Sequence, residues 1–207
     1  MNPQDLPYAA LLKRRPTQAR SAQRVEAILD AAAELLRDRE PEQIMVRDLA
    51  SQASVPTGTI YQFFADRDTV LQALALRFLA AMPDVLDSVL DEPTDWPRML
   101  DAVVDAYATM FRQHPAIRRL WLSGKLDAAT RHVERETDAR IAVRLGAAVQ
   151  ELAQTSAGEA SQWRALVALI DGLLRHAFTD DATGDEQALA EAKRAARAYA
   201  GDVLGTR

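Results

Sequence analysis

Apolar residues in this chain return at helical spacing from Val25 to Val203, and no stretch alternates apolar and polar residues for long enough to demand a sheet. Packed helices are then the way to bury a core. Composition agrees, because 48% of the 207 residues are hydrophobic, only 8 are Gly, and the helix formers Ala and Leu are prominent. An all-α fold is expected. A chain of this length is either one large domain or a small domain joined to a larger one.

Several classes of function fall away on composition. With no Cys, disulfides, thiolate nucleophiles and Cys-based zinc or iron–sulfur sites are excluded. His114, His132 and His176 stand at no spacing that recruits a metal, so neither a metal nor a cofactor is expected. His132, with Glu134, Glu136 and Asp138 alternating with Arg131, Arg135 and Arg140, reads as a solvated stretch of helix. No Gly-rich phosphate loop, internal repeat or low-complexity tract is present. No window approaches about eighteen uninterrupted apolar residues, and the polar start 1–5 leads into no signal-type hydrophobic run. The expectation is a cytoplasmic protein that meets no membrane.

The net charge of −5 conceals a division along the chain. Residues 1–25 carry Lys13, Arg14, Arg15, Arg20 and Arg24 against Asp5 alone, whereas acidic residues outnumber basic ones over 81–207. A basic start suits phosphate, although a solvated tail has the same composition. Pro16 argues against a continuous helix through this arm, which is taken as residues 1–20.

The first helix places Val25, Ile28, Leu29, Ala32, Leu35 and Leu36 on one face, with Ser21 as N-cap. Pro41 ends it. A short helix over 46–53 turns Val46, Leu49, Ala50 and Ala53 inward, Ser54 and Val55 make a turn, and Pro56 and Thr57 open a third helix running to about Phe63 or Phe64. Asp66 caps a fourth, with Val70, Leu71, Leu74 and Phe78 on one face, that ends near Pro83. Further helices are read at 84–90, 95–113, 115–123, 127–153, 160–178 and 185–204. Ser156 with Glu159, and Thr183 with Glu186, have capping-box spacing ahead of the last two.

The helices at 46–53 and 56–63, joined by a tight turn, have the spacing of a helix-turn-helix. Leu49, Ala50 and Ala53 can interlock with Val55, Ile60 and Phe64, and the small Ala side chains permit the close crossing. The outer face keeps Thr57, Gly58, Thr59, Tyr61 and Gln62, which are small or hydrogen-bonding and carry no carboxylate for phosphate to repel.

The run Val46-Arg47-Asp48-Leu49-Ala50-Ser51-Gln52-Ala53-Ser54-Val55-Pro56-Thr57-Gly58-Thr59-Ile60-Tyr61-Gln62-Phe63-Phe64-Ala65-Asp66-Arg67-Asp68 resembles the signature of the tetracycline-repressor (TetR) family. The resemblance extends over about residues 20–75. It implies a DNA-facing surface of Thr57, Gly58, Thr59, Tyr61, Gln62 and Phe63, with Phe63 also open to a partly core place, phosphate anchors at Tyr61 and Arg67, and a further phosphate candidate at Arg47. Three positions depart from the commonest pattern: Ser54 stands for Gly, Met45 for a capping Thr, and Arg67 for Lys. Ser54 then implies a left-handed or slightly altered turn at some steric cost, and Met45 a second helix without a side-chain cap.

On this reading residues 21–82 form a helix-turn-helix DNA-binding domain, and 83–207 a larger helical ligand-binding and dimerisation domain. Trp96, Met99, Val103, Tyr107, Met110, Phe111, Trp121 and Leu122 are the candidates to line a pocket for a small molecule, with Tyr107 or His114 as polar orienter. Residues at such spacing more often belong to a core. Trp163, Leu166, Ile170, Leu173 and Leu174 make the 160–178 segment apolar over more than one face, and with Tyr199 they are the candidate dimer interface. The partners expected are a double-stranded DNA operator, a small-molecule effector and a second copy of the chain. The function expected is transcriptional repression relieved by a small, mainly apolar molecule, with the fourth helix as transmitter. A helical hydrolase would need a nucleophile, base and orienting group converging on a pocket, and a protein-only adaptor would lack affinity for duplex DNA. No local signature supports an enzyme.

Overall fold

Each helical stripe predicted from apolar spacing packs as a helix in the computed structural model, which describes residues 6–16, 18–91 and 95–206. Residues 1–5 of the expected arm, Thr17, residues 92–94 and Arg207 lie outside the described residues. The helices are α1 (Ala19–Leu35), α2 (Val46–Gln52), α3 (Thr57–Phe63), α4 (Arg67–Leu90), α5 (Trp96–Gln113), α6 (Pro115–Leu122), α7 (Ala128–Leu152), α8 (Ala160–Thr179) and α9 (Glu186–Leu204). No strand occurs among the described residues. The fold is all-α, with an N-terminal helix-turn-helix followed by a helical C-terminal region.

The chain divides into two compact units. The first comprises residues 1–80 and 114–133, the second residues 81–113 and 134–207. Contiguous segments split at 82/83 cannot anticipate that residues 114–133 return to the first unit.

In the first unit α1 packs against α2 and α6, and α2 against α3. Val25, Ile28, Leu29 and Ala32 of α1 are buried with Ile44, Leu49, Ile60, Phe64, Val70 and Leu74. The first cap lies three residues earlier than expected: Gln18 is the N-cap of α1, and the Ser21 hydroxyl accepts the Gln18 N–H at 3.3 Å and donates to its carbonyl at 2.7 Å. Asp66 caps α4 as expected, accepting the Thr69 N–H at 2.8 Å and its hydroxyl at 2.7 Å, and these bonds hold its carboxyl below the usual range.

In the second unit α8 and α9 form a helical hairpin, with α5 packed on α9 and α8. Ile170, Leu174 and Phe178 of α8 and Leu189, Ala192, Ala196 and Ala200 of α9 are buried, and Phe178 meets Phe111 of α5 edge to face with centroids 5.3 Å apart. Gly184 makes the turn with φ +82, and a Cβ there would lie 2.6 Å from the Phe178 ring. The two capping boxes expected from spacing are displaced. Glu159 is the N-cap of α8 and its N–H bonds Gln162 at 2.8 Å; Asp185 caps α9, accepting from the Gln187 and Ala188 amides at 2.8 and 2.9 Å.

The break expected near Pro83 does not occur, and α4 runs through Pro83 to Leu90. Proline removes one ladder bond and costs about 3 kcal/mol inside a helix, but Leu79 and Leu86 on either side of it are almost wholly buried, and their burial is of the size needed to offset that cost. By length and composition alone α4 could cross a bilayer, yet half of its apolar window is buried inside the protein.

Candidate nucleic-acid interface and effector site

The helix-turn-helix is assembled from two seven-residue helices too short to persist alone, so packing must hold them. Met45 gives α2 no side-chain cap; its N–H bonds the Asp48 carboxylate at 2.9 Å instead. The turn is closed by the Val55 N–H on the Ala50 carbonyl at 3.0 Å, and Ser54 takes the left-handed conformation at φ 53. Serine bears there the steric cost that glycine would avoid. Pro56 is the N-cap of α3, whose Ile60 and Phe63 are buried.

What α3 leaves outside is Thr57, Gly58, Tyr61 and Gln62, all exposed, with Thr59 half-buried. Tyr61 is 47% exposed although it is a large aromatic. Arg47 of α2 is exposed as well. The outward set is therefore the polar one drawn from helical spacing. Phe63, assigned to the DNA-facing surface by resemblance, is 2% exposed and belongs to the core, because it lies one turn from Ile60 on the inner side of α3. Arg67 is also engaged within the protein. Its Nη1 donates to the carbonyls of Glu42 and Ile44 at 3.2 and 3.4 Å, and its guanidinium pairs with Asp68. Those bonds fasten the segment leading into α2, so the charge is only partly free for phosphate.

The basic arm is folded over its described part. Leu6, Tyr8, Leu12 and Pro16 are buried, and 9–11 form a single 3-10 turn. Tyr8 donates its hydroxyl to Glu26 of α1, which also pairs with Arg77 of α4 at 2.9 Å. Burial, then the Glu26 contact, push the Tyr8 hydroxyl well above the usual tyrosine range. At the far end the Lys13 N–H bonds the Phe63 carbonyl at 2.8 Å and its amine the Tyr61 carbonyl at 3.1 Å. These are two of the carbonyls that a helix end leaves without partners. The signal that the arm folds was the apolar run over 6–12 directly ahead of the basic residues.

Residues 28–74 match the family described as bacterial regulatory proteins, tetR family, and residues 94–200 match the tetracyclin repressor-like C-terminal domain. The chain belongs to the TetR family. Members of this family are non-enzymatic DNA-binding transcriptional regulators. A TetR-family regulator from Streptomyces coelicolor is 30% identical, with a TM-score of 0.67 over 89% of this chain and 99% of that one. EthR of Mycobacterium tuberculosis (strain CDC 1551 / Oshkosh) is 31% identical over 108 residues, 51% of this chain and 50% of that protein. The chain thus spans about half the length of the curated relatives it matches. FadR from Bacillus subtilis, solved in complex with stearoyl-CoA, shares the fold at 16% identity, with a TM-score of 0.65 over 88% of this chain and 98% of that one.

The effector candidates do not all fall in one unit. Met99, Val103, Tyr107, Met110 and Phe111 are buried in the second unit, and Trp96 is half-buried there. Trp121, which is buried, Leu122 and His114 belong to the first unit, where His114 is exposed beside Phe78 at 6.4 Å. Phe111 is engaged with Phe178. The Tyr107 hydroxyl donates to the Met82 carbonyl at 3.3 Å, and burial, with Asp138 and Asp87 as charged neighbours, raises it above the usual tyrosine range.

The stretch read as solvated contains a partly buried charge cluster that sequence reasoning missed. Glu134 and Asp138 of α7 are only partly exposed, and Arg175 of α8 bonds Glu134 and Asp171 at 2.7 Å each. The i, i+4 spacing of Glu134 with Asp138 and of Asp171 with Arg175 was the available signal. Of the dimer candidates, Trp163, Leu166, Ile170 and Leu174 are buried within the protomer, while Leu173 and Tyr199 keep partial exposure. The outer side of α8 is Ala165, Ala168, Gly172 and His176, exposed, with Leu169 and Leu173 half-buried.

Proposed function

We propose that this chain is a ligand-responsive repressor that binds a near-palindromic operator as a two-fold dimer and is released by a small, mainly apolar molecule. The observation that carries the DNA reading is the exposed, carboxylate-free face of α3, with Thr57, Gly58, Tyr61 and Gln62 standing on a buried Ile60 and Phe63. Thr57, Thr59 and Gln62 supply hydrogen-bonding groups for base edges, and Tyr61 and Arg47 reach phosphate.

The dimer reading is supported by the smooth outer face of α8. Ala165, Ala168 and Gly172 allow close approach of an identical helix, and Leu169, Leu173 and, from α9, Tyr199 supply apolar area. The effector site is assigned to the second unit around Met99, Val103, Tyr107 and Met110, with Trp96 beside them and the Tyr107 hydroxyl as its polar group. FadR from Bacillus subtilis, which shares this fold, was solved with stearoyl-CoA, a ligand whose acyl chain is apolar. The protein works in the cytoplasm, where its operator is.

Linkage supplies the test. A molecule that weakens operator binding must itself be bound more weakly in the presence of operator by the same factor, typically about 5- to 150-fold. Operator fragments captured from genomic DNA are titrated with and without a metabolite extract, and the active component is then measured by calorimetry on free and operator-bound protein. Equal affinity for the component in the two states would refute ligand-controlled release.

A further inference from the structure

Three arginines outside the helix-turn-helix converge beside its recognition helix. Arg14, Arg15 and Arg24 line a cleft of about 200 Å³ together with Gln62 of α3 and with Gln18 and Ser21 at the start of α1. All three are exposed, and among the described residues none is drawn into an ion pair, whereas Arg37, Arg39, Arg67 and Arg77 of the same unit are. Three unneutralised guanidiniums around one hollow repel one another, an arrangement that stays unfavourable until an anion enters. The arm carrying two of them is fixed ahead of them by Tyr8 on Glu26 and by Lys13 on the last carbonyls of α3, and directly after them by the buried Pro16. The cations are therefore held at a set place relative to Gln62 on the exposed face of α3.

We propose that Arg14, Arg15 and Arg24 form a clamp for the phosphate backbone of duplex DNA, gripping the strand beside the groove that α3 enters. This rests on the DNA reading given above and extends it, because the footprint then exceeds the helix-turn-helix. The clamp reads no bases. It adds affinity and salt dependence alike on any duplex, and it holds α3 in register. Lys13 is the positioning residue: its amide and amine tie the arm to the carbonyl end of α3, so clamp and recognition helix move together.

The experiment uses the full chain and two duplexes, one selected from a random pool by the unmodified protein and one of random sequence, titrated by fluorescence anisotropy across a salt series. Arg14→Ala/Arg15→Ala is expected to weaken both duplexes by roughly eightfold per guanidinium at about 0.1 M salt, and to reduce the slope of log affinity against log salt by about two per protomer. Arg14→Lys/Arg15→Lys should restore the slope, since the charge returns. Ethylation interference should show phosphates outside the α3 groove that matter to the unmodified protein and not to the Ala variant. Unchanged affinity and slope in the Ala variant, with Tyr61→Phe and Thr57→Ala still weakening binding, would overturn the clamp and leave the regulator reading intact. Failure of the unmodified protein to bind either duplex would overturn both.

Discussion

Asp138→Asn is expected to make the protein more stable near neutral pH and to lose most of that advantage in acid. Asp138 and Glu134 lie one turn apart on α7, and Arg175 on α8 is the cation they share with Asp171. Burial first, then repulsion from Asp171 and Glu134, raise the Asp138 carboxyl from 3.8 to about 6, against the opposing pull of Arg175. The folded protein thus binds this proton more tightly than the unfolded chain. The stability it gives is fully present below about pH 3.8 and is lost as pH rises through about 6. Asparagine has no proton to lose. The gain at about pH 7.5 has a ceiling of about 3 kcal/mol, at about 1.4 kcal/mol per pH unit, and the partial exposure of Asp138 lowers it to about 1–2 kcal/mol by solvent screening. At about pH 4.5 the same linkage leaves about a third of the gain. Urea unfolding at one protein concentration, followed by circular dichroism at both pH values, measures it. A variant less stable than the parent at pH 7.5, or one with equal gains at the two pH values, would refute the assignment of a strained Asp138.

Gly146→Ala should cost about 1–3 kcal/mol in the same unfolding assay, because the new Cβ would lie 2.5 Å from the Trp163 ring; the usual helix preference for Ala predicts the opposite sign. Leu173→Asp should give monomers by light scattering at micromolar concentration while leaving the protomer folded, since Leu173 is only half-buried; a dimeric variant would refute the proposed place of α8 in a dimer interface. Arg67→Ala should lower the stability of the first unit by about 1–2 kcal/mol through the Glu42 and Ile44 carbonyls it leaves unpaired, and a purely electrostatic loss of DNA affinity with unchanged stability would contradict that.

The helices were legible because apolar periodicity is a local property: Val25 to Leu36, Leu49 to Ile60 and Trp163 to Phe178 each carry their buried stripe in the order of residues. The turn at Ser54 was legible for the same reason. Glycine is the residue usual there, so serine implies a left-handed or slightly altered turn, and the structure takes the left-handed one. What escaped was decided by packing. Pro83 reads as a stop in any window, yet Leu79 and Leu86 carry the helix through it. Phe63 and Arg67 match a DNA-facing pattern by position, but one faces the core and the other bonds backbone carbonyls 23 and 25 residues away in sequence. Ile170 and Leu174 looked like spare apolar surface because a sequence does not tell the stripe buried inside the protomer from the stripe left outside. The charged groups over 131–140 read as solvated because i, i+4 spacing within α7 and within α8 does not tell which helix faces which, and it is packing that brings Arg175 against Glu134.

Reading of duplex DNA by the exposed face of α3 is tested most directly by selecting a duplex from a random pool with the folded, ligand-free protein and titrating it against a random duplex. The expected selected site is near-palindromic, with half-sites about one helical turn apart or a multiple of it, and is bound at least about 10³-fold more tightly than random duplex at physiological salt. Gln62→Ala should change the base preferred at defined positions by about 1–3 kcal/mol while leaving the salt slope unchanged. Equal affinity of the folded protein for selected and random duplexes, or a Gln62→Ala variant with unaltered base preference and a shallower salt slope, would contradict it.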